Sequence, residues 1–312
     1  MDELDMLQDD TNLEDIVDID MDSNGDVLPP KTTQIALIDA DTIAYTACLS
    51  SEEAHPILSD GFYTDKELEE IKNDPQYDPK EEVLYKPNLE LALSKAKDKI
   101  DRILGLTGCC RAELHFTGGR ENFRYEIYPN YKANRTGRVP AGLQELKELM
   151  LEHYEGAIHT KWEADDMVVF LKVRQPYDYV LCAVDKDVLG AVVGKHFNYY
   201  ESSQYNKQMK WQETDTYTAQ TWSYIQTLAG DTTDNIIGLN RVGIKTAEKL
   251  IANCMGHLEC WREVVRQYEL KGRTKEEALL NYNLVNMRLL THTENGYKIQ
   301  IKTMEEMDTY GK

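Results

Sequence analysis

No apolar run in this chain approaches the roughly 20 residues that a bilayer-spanning helix needs. The N-terminus also lacks the basic segment and apolar stretch that open a secretory signal. Both absences lead us to expect a cytoplasmic protein. The six cysteines (Cys48, Cys109, Cys110, Cys182, Cys254, Cys260) form no CxxC pair and no Cys/His metal spacing, so reduced thiols are expected and structural zinc is not. The seven histidines fall in none of the clusters described below, so no Ser/His/Asp or Cys/His nucleophile constellation is expected. Lys and Arg are missing from residues 1–30, which hold 11 acids and end in Pro-Pro. That composition predicts a disordered acidic tail over residues 1–32. Within it, Asp20–Val27 matches the first half of an EF-hand loop, but the twelfth position is Lys31 instead of the bidentate Glu that calcium requires.

The net charge of −20 is carried by one end of the chain. Residues 1–90 hold 25 Asp and Glu against 5 Lys and Arg, whereas residues 91–312 hold 30 of each. An acidic total therefore does not exclude a polyanionic partner for the neutral remainder. At 312 residues, with 41% hydrophobic and 29% charged content, the chain can build a full soluble core as one large domain or two.

From Thr33 to about Tyr217, strand and helix signals alternate. Gln34–Ile38, Ala112–Phe116 and Tyr179–Val184 read as strands; Asn88–Leu106, Gly142–His153 and Asp165–Val173 read as helices. Such alternation predicts an α/β fold with a doubly wound, mostly parallel sheet over residues 33–217. Residues 51–87, acidic and with four prolines, read as an insertion or mobile loop. Residues 218–312 are expected to form a small helical domain, with helical character over Thr218–Cys254 and a further helix at Lys275–Leu290.

Nine acids lie in four short clusters, most of them where apolar runs end: Asp39 and Asp41; Glu163, Asp165 and Asp166; Asp185 and Asp187; Asp231 and Asp234. Each cluster alone has an ordinary explanation, as dipole-complementing acids at a helix start or as loop residues. Together the predicted sheet directs them to its carboxyl-end edge, where ligands of such folds bind. Acids so crowded repel one another unless cations sit between them, and an all-oxygen donor set suits Mg²⁺ or Mn²⁺. Setting aside Asp41 and Asp166 leaves seven carboxylates to assign first. The chain reads as a metal-dependent phosphodiesterase.

Two further elements concern phosphates. Arg120, Arg124, Lys132, Arg135 and Arg138 are interleaved with Phe123, Tyr125, Tyr128 and Tyr131, the mixture that a single-strand channel needs. Ile236–Leu250 places a hairpin with Gly238 and Gly243 ahead of an amphipathic helix, whose first backbone N–H groups suit a phosphate.

At these residues a family becomes recognisable. Ile-Asp-Ala-Asp, Phe-Arg-Tyr-Glu…Tyr-Lys-Ala-Asn-Arg, Glu-Ala-Asp-Asp, Asp-Lys-Asp and Gly-Asp-Thr-Thr-Asp-Asn occur in order between Gln34 and Ile251. The chain resembles the 5′-nuclease family: phage 5′→3′ exonucleases, flap endonucleases and the 5′-nuclease domain of bacterial DNA polymerase I. The short stretch between Arg135 and Glu163 is most like the phage and polymerase-type members.

The resemblance implies one metal group at Asp39, Glu163, Asp165 and Asp185 and a second at Asp187, Asp231 and Asp234, with Asp166 acting through water. It implies two Mg²⁺ or Mn²⁺ ions and in-line hydrolysis leaving a 5′-phosphate. Lys132 would contact the scissile phosphate, Arg124 and Arg135 would steer the 5′ strand and Tyr131 would stack on a base; Arg120 and Arg138 join them as DNA contacts. Gly238, Arg241, Gly243, Lys245 and Thr246 would grip the duplex backbone, with K⁺ at the hairpin. The implied partners are double-stranded DNA with 5′ ends, nicks or flaps, and RNA primer–DNA hybrids, met by a monomer. Two other readings share parts of the pattern: a PIN-type RNase, and a catalytically impaired protein that only binds branched DNA.

The chain departs from the family twice. Thr117 stands after the strand ending at Phe116, where the family has an Asp, which leaves the cluster one carboxylate short. Arg241 stands where the hairpin usually has Gly, and a left-handed backbone there costs an Arg about 1 kcal/mol.

Overall fold

The computed structural model describes residue 29 and residues 31–57 and 63–309. The half EF-hand loop and nearly all of the expected acidic tail lie outside the described residues. The first part of the chain runs β1 (Ile35–Asp39), α1 (Asp41–Leu49), β2 (Glu53–Pro56), α2 (Asp65–Lys72), β3 (Tyr77–Asp78), β4 (Val83–Lys86) and α3 (Leu89–Thr107). It continues through β5 (Arg111–Thr117), α4 (Phe123–Ile127), α5 (Leu143–Leu151), β6 (Glu155–His159) and α6 (Ala164–Arg174). Then follow β7 (Tyr179–Ala183), α7 (Lys186–Gly190), β8 (Gly194–Asn198) and β9 (Lys210–Thr214).

Six of these strands form one sheet in the order β6-β5-β1-β7-β8-β9. Every neighbouring pair is parallel except β8 with β9. Alternation along each strand supplies two cores. From β1, Ala36 and Ile38 enter the layer shared with α1, α3 and α5, while Leu37 enters the layer shared with α6 and α7. In β7, Val180 and Cys182 go to the first layer, and Tyr179, Leu181 and Ala183 to the second. The chain leaves β1 toward β5 on one side and returns with β7 on the other. The connections after β1 and β7 therefore part and open a crevice at the carboxyl ends of these strands.

The helix expected over Asn88–Leu106 forms almost as read. The Asn88 side chain caps its start by accepting from the Leu91 N–H, and Gly108 ends it at φ 71°. The described parts of the 51–87 stretch, residues 51–57 and 63–87, carry more order than a loop. A three-stranded sheet, β2-β4-β3, accompanies α2, which starts in a Thr64/Glu67 capping box.

The remaining elements are α8 (Thr216–Ala229), β10 (Gly230–Asp231), β11 (Ile236–Ile237), α9 (Ile244–Ile251), α10 (His257–Leu270), α11 (Lys275–Val285), β12 (Leu290–Thr293), β13 (Gly296–Ile299) and α12 (Met304–Thr309). α8 to α11 enclose a separate apolar core that includes Trp261, Tyr268, Leu228 and Val264. The helix expected to reach Leu290 stops at Val285. Asn286 turns extended there and accepts the Arg288 N–H, which releases Leu290 into the β12–β13 hairpin. Among the described residues no helix is long and apolar enough to cross a membrane.

The β10–β11 hairpin closes through two glycines. A Cβ on Gly230 would lie 2.2 Å from the Gly238 nitrogen, and one on Gly238 would lie 2.2 Å from the Ala229 carbonyl group. Gly243, by contrast, has open space around it and φ −92°. Gly238→Ala should therefore destabilise the protein by about 2 kcal/mol in urea unfolding, whereas Gly243→Ala should cost within about 1 kcal/mol. Equal effects would contradict this reading of the hairpin.

Candidate metal and nucleic-acid site

Four stretches of chain deliver carboxylates to the crevice. Asp39 is the last residue of β1 and is buried. Glu163 is the N-cap of α6, with Asp165 and Asp166 in its first turn. Asp185 caps α7 by accepting the Asp187 N–H at 2.8 Å. Asp231, in β10, accepts the Thr233 N–H at 2.7 Å, and Asp234 follows in the same loop. Burial pushes the Asp39 carboxyl up to about 7, reinforced by the charge of Asp41. Burial likewise raises Asp187 to about 7, helped by Asp185, and raises Asp165 well above the usual range, helped by Asp39 and Asp185.

The residues from Arg124 to Arg135 fold onto this edge and answer some of the charge. Lys132 Nζ donates to Glu163 Oε1 at 2.6 Å and lies 3.8 Å from Asp234. Arg135 donates to Asp234 Oδ1 at 2.6 Å. Burial alone would raise Glu163, but Lys132 and Arg124 outweigh it and hold the carboxyl down at about 2. Lys132 takes φ 53° to reach in, a left-handed conformation that a non-glycine residue adopts only when its surroundings hold it there.

Three expectations need correction. Arg124 does not face a strand of DNA. It is buried, with its guanidinium bidentate on Asp166 at 2.6 and 2.7 Å and its Nε on the Leu284 carbonyl. Asp166, expected to act through water, also accepts the Glu163 N–H at 3.0 Å, so both of its oxygens are already engaged by protein donors. Tyr131 is not open to a base: its ring is buried with Ile236, Leu284 and Val285, and its hydroxyl lies 2.9 Å from Glu163 and 2.8 Å from Asp234. In each case an apolar neighbourhood or a close counter-charge claims the side chain before a ligand could.

Two cavities meet at Lys132 and Arg135. The smaller, about 370 Å³, is lined by Asp165, Asp185, Asp187, Asp231 and Asp234. The larger, about 780 Å³, carries Arg120, Arg138 and Lys147 together with Tyr45 and Tyr125. Arg138 is tethered there by Glu52 and Gln76 from the 51–87 side and stacks 3.8 Å from the Tyr85 ring centroid. Asp41, set aside at first, belongs to the same wall and accepts from the Thr117 N–H at 3.0 Å. Lys147 was missed, although the signal was there. With Leu143, Leu146 and Met150 it completes one helical face, and a lysine on an apolar face needs a buried partner. Asn122, also missed, is buried and donates to Glu163 at 3.2 Å.

Thr117 has work of its own. Its hydroxyl accepts the Ala164 N–H at 3.0 Å, which ties the end of β5 to the start of α6. At the hairpin, Arg241 takes φ 62°, the left-handed conformation its position demands, and its side chain is exposed. Gly243 caps α9 without a side-chain hydrogen bond, leaving that helix start open to an anion, with Lys245 and Thr246 exposed in its first turn. Gly238 serves the crossing described above; Arg273 and Asn281 hold the adjoining carbonyls of Ile237 and Gly238.

Among the described residues no three Asp, Glu, His or Cys side chains stand close enough to form a ready-made metal-holding group. The donor set still fits a hard divalent cation. It is all oxygen, Asp39 and Asp165 touch through their side chains, and the buried Oδ1 of Asp187 has no hydrogen-bond partner among the described residues. The carboxyls of Asp39 and Asp187 titrate near 7 in the fold against an ordinary 3.8. Their protonated forms therefore stabilise the fold fully below about pH 4, and that contribution is lost as pH rises through about 7. A divalent cation should make good the loss, so Mg²⁺ or Mn²⁺ at millimolar levels should raise Tm distinctly more at about pH 8 than at about pH 5. Equal shifts at both values, or none at the higher, would contradict the assignment.

No family model matches the chain. It is 28% identical over 188 residues to DNA polymerase I of Treponema pallidum (strain Nichols), which covers 53% of this chain and 18% of the polymerase. It is 27% identical over 196 residues to the 5′-3′ exonuclease of Buchnera aphidicola subsp. Acyrthosiphon pisum (strain APS), 56% of this chain and 68% of the exonuclease. Similarity to DNA polymerase I of Streptococcus pneumoniae (strain ATCC BAA-255 / R6) is 29% over 221 residues, 63% of this chain and 24% of the polymerase. The match thus spans less than two thirds of either polymerase. In structure, T5 5′-exonuclease with bound divalent zinc gives a TM-score of 0.54 at 16% identity, covering 82% of this chain and 90% of that one. The T5 D15 protein co-crystallised with metal ions gives 0.50 at 18% identity, covering 63% and 83%. In sequence the chain is thus similar to DNA polymerase I and 5′-3′ exonuclease proteins, and in fold to T5 5′-exonuclease.

Proposed function

We propose that the protein is a divalent-metal-dependent 5′-nuclease that hydrolyses phosphodiester bonds at or near the 5′ ends of duplex, nicked or flapped DNA. One observation carries the reading: a carboxylate-lined cavity and a basic, tyrosine-bearing cavity meet at Lys132 and Arg135. The acids suit Mg²⁺ or Mn²⁺, with one ion held by Asp39, Glu163, Asp165 and Asp185 and a second by Asp187, Asp231 and Asp234. When bound, such ions would neutralise the phosphate and lower the pKa of an attacking water. Lys132, already seated on the cluster through Glu163, adds a cation where the scissile phosphate would lie. Arg120 and Arg135 are exposed to steer the strand, and Tyr45 and Tyr125 offer faces to its bases.

In this reading residues 33–217 form the nuclease unit and residues 218–312 the unit that grips the duplex, through the Gly238–Thr246 hairpin and with K⁺ on its carbonyls. The product carries a 5′-phosphate. RNA primer–DNA hybrids are accepted where only the backbone is read, and the chain works as a monomer in the cytoplasm. Thr117, in the place of a family carboxylate, favours one rival: a protein that binds branched DNA without cutting it.

Incubation of 5′-labelled nicked and flapped duplexes with Mg²⁺ or with EDTA separates the two. We expect cleavage in Mg²⁺ alone, and Asp185→Ala should lower the rate by more than about 100-fold while DNA affinity stays within about threefold. Binding without cleavage by the wild type would favour the rival, and full activity in Asp185→Ala would overturn the site.

A further inference from the structure

Lys147 is buried on the inner face of α5, yet it lines the larger cavity. Its Nζ donates to Asp41 Oδ1 at 2.6 Å and to the Thr117 carbonyl at 2.8 Å. An ammonium group has three N–H donors. The third meets no carbonyl or carboxylate among the described residues. Asp41 is itself held in place by the Thr117 N–H, at 3.0 and 3.2 Å from its two oxygens. The amine is thus fixed by two acceptors; the Phe116 ring centroid lies 5.7 Å from it, and the third N–H has no hydrogen-bond acceptor among the described residues.

The surroundings favour an anion. The cavity lining holds five cations (Arg120, Lys132, Arg135, Arg138 and Lys147) and two carboxylates, Asp41 and Glu163. Lys132, Arg135 and Arg138 are engaged with Glu163, Asp234 and Glu52. Asp41 by itself would repel a phosphate from this wall; its pairing with Lys147 removes that repulsion. A pair with only a structural role would have no need to sit in a cavity wall with a donor unspent.

We infer that Lys147 is a further phosphate-contacting residue, its third N–H taking a non-bridging oxygen of the strand lying in the larger cavity. Asp41 and the Thr117 carbonyl are its positioning groups. The inference rests on the nucleic-acid reading of that cavity. Because Thr117 also caps α6, the same contact places a strand phosphate at a fixed distance from the helix that presents Glu163 and Asp165.

The test is binding of a fluorescent, 5′-phosphorylated flapped duplex to the full chain in EDTA, across a series of salt concentrations. Lys147→Gln should weaken affinity about tenfold at about 0.1 M salt and flatten the log Kd against log salt slope by about one unit. Lys147→Arg should restore both. Lys147→Gln leaves Asp41 without its cation and could fold poorly. Asp41→Asn and the double variant Asp41→Asn/Lys147→Gln keep the shape with neutral groups, and the slope should fall by about one between them. An unchanged slope in that comparison, with loss of Tm alone in Lys147→Gln, would overturn the inference and leave a structural ion pair. Arg120→Gln is the control: if it flattens the slope and the Lys147 variants do not, only the Lys147 assignment fails. If the wild type does not bind the duplex at all, the nucleic-acid reading fails with it.

Discussion

Repulsion among carboxylates gathered at the carboxyl ends of β1 and β7 is the constraint on which the rest of the molecule depends. A parallel sheet delivers Asp39 and the Asp185/Asp187 pair to one crevice, and α6 adds three more acids, one at its N-cap and two in its first turn. Left unanswered, such charge would open the crevice or suppress ionisation. Basic side chains meet part of it: Arg124 closes on Asp166, Lys132 on Glu163, Arg135 on Asp234 and Lys147 on Asp41. These ion pairs pin the 120–138 stretch and the Asp231–Asp234 loop to the sheet, so the two cavities owe their shared wall to electrostatics as much as to packing. Asp39, Asp165, Asp185 and Asp187 form no ion pair with a basic side chain among the described residues, and the carboxyls of all four are pushed up.

Buried pairs of this kind are weak evidence for stability, because removing two ions from water offsets most of their attraction. Their use here is placement. Arg124 and Asp166 lock the start of α6, and with it the direction in which Glu163 and Asp165 point. Tyr131 ties Glu163 to Asp234 across 71 residues of chain, joining the sheet edge to the hairpin unit. The left-handed backbone at Lys132 and Arg241 marks two places where conformational ease is given up at the face proposed to meet phosphates.

Much of this was legible in the sequence. Continuous apolar runs followed by Asp marked β1 and β7, apolar spacing marked α3, and an apolar run opened by acids marked α6, because each pattern is imposed by surfaces that must be buried. Charge alone could not tell which basic residues look outward. Arg124 and Arg135 have the same chemistry in sequence, yet one is buried against Leu284 and Asp166 and the other is exposed, a difference set by α11, which lies some 150 residues further on. Tyr131 was misread for the same reason: its burial depends on Ile236, Leu284 and Val285. Other features were visible but undervalued, notably Lys147 on an apolar face, the Thr64/Glu67 capping box inside an acidic stretch, and the Glu294-Asn295 turn that Gly296 closes at φ 105° in the β12–β13 hairpin.

The central claim is that the acids without basic partners are the seat of divalent cations. Crystals soaked in Mn²⁺ and measured for anomalous scattering would locate such ions directly. The account predicts peaks within about 2.0–2.3 Å of carboxylate oxygens from Asp39, Asp165, Asp185 or Asp187, the bond length of a hard divalent ion. Peaks confined to the protein surface, with this cluster empty at saturating Mn²⁺, would contradict it.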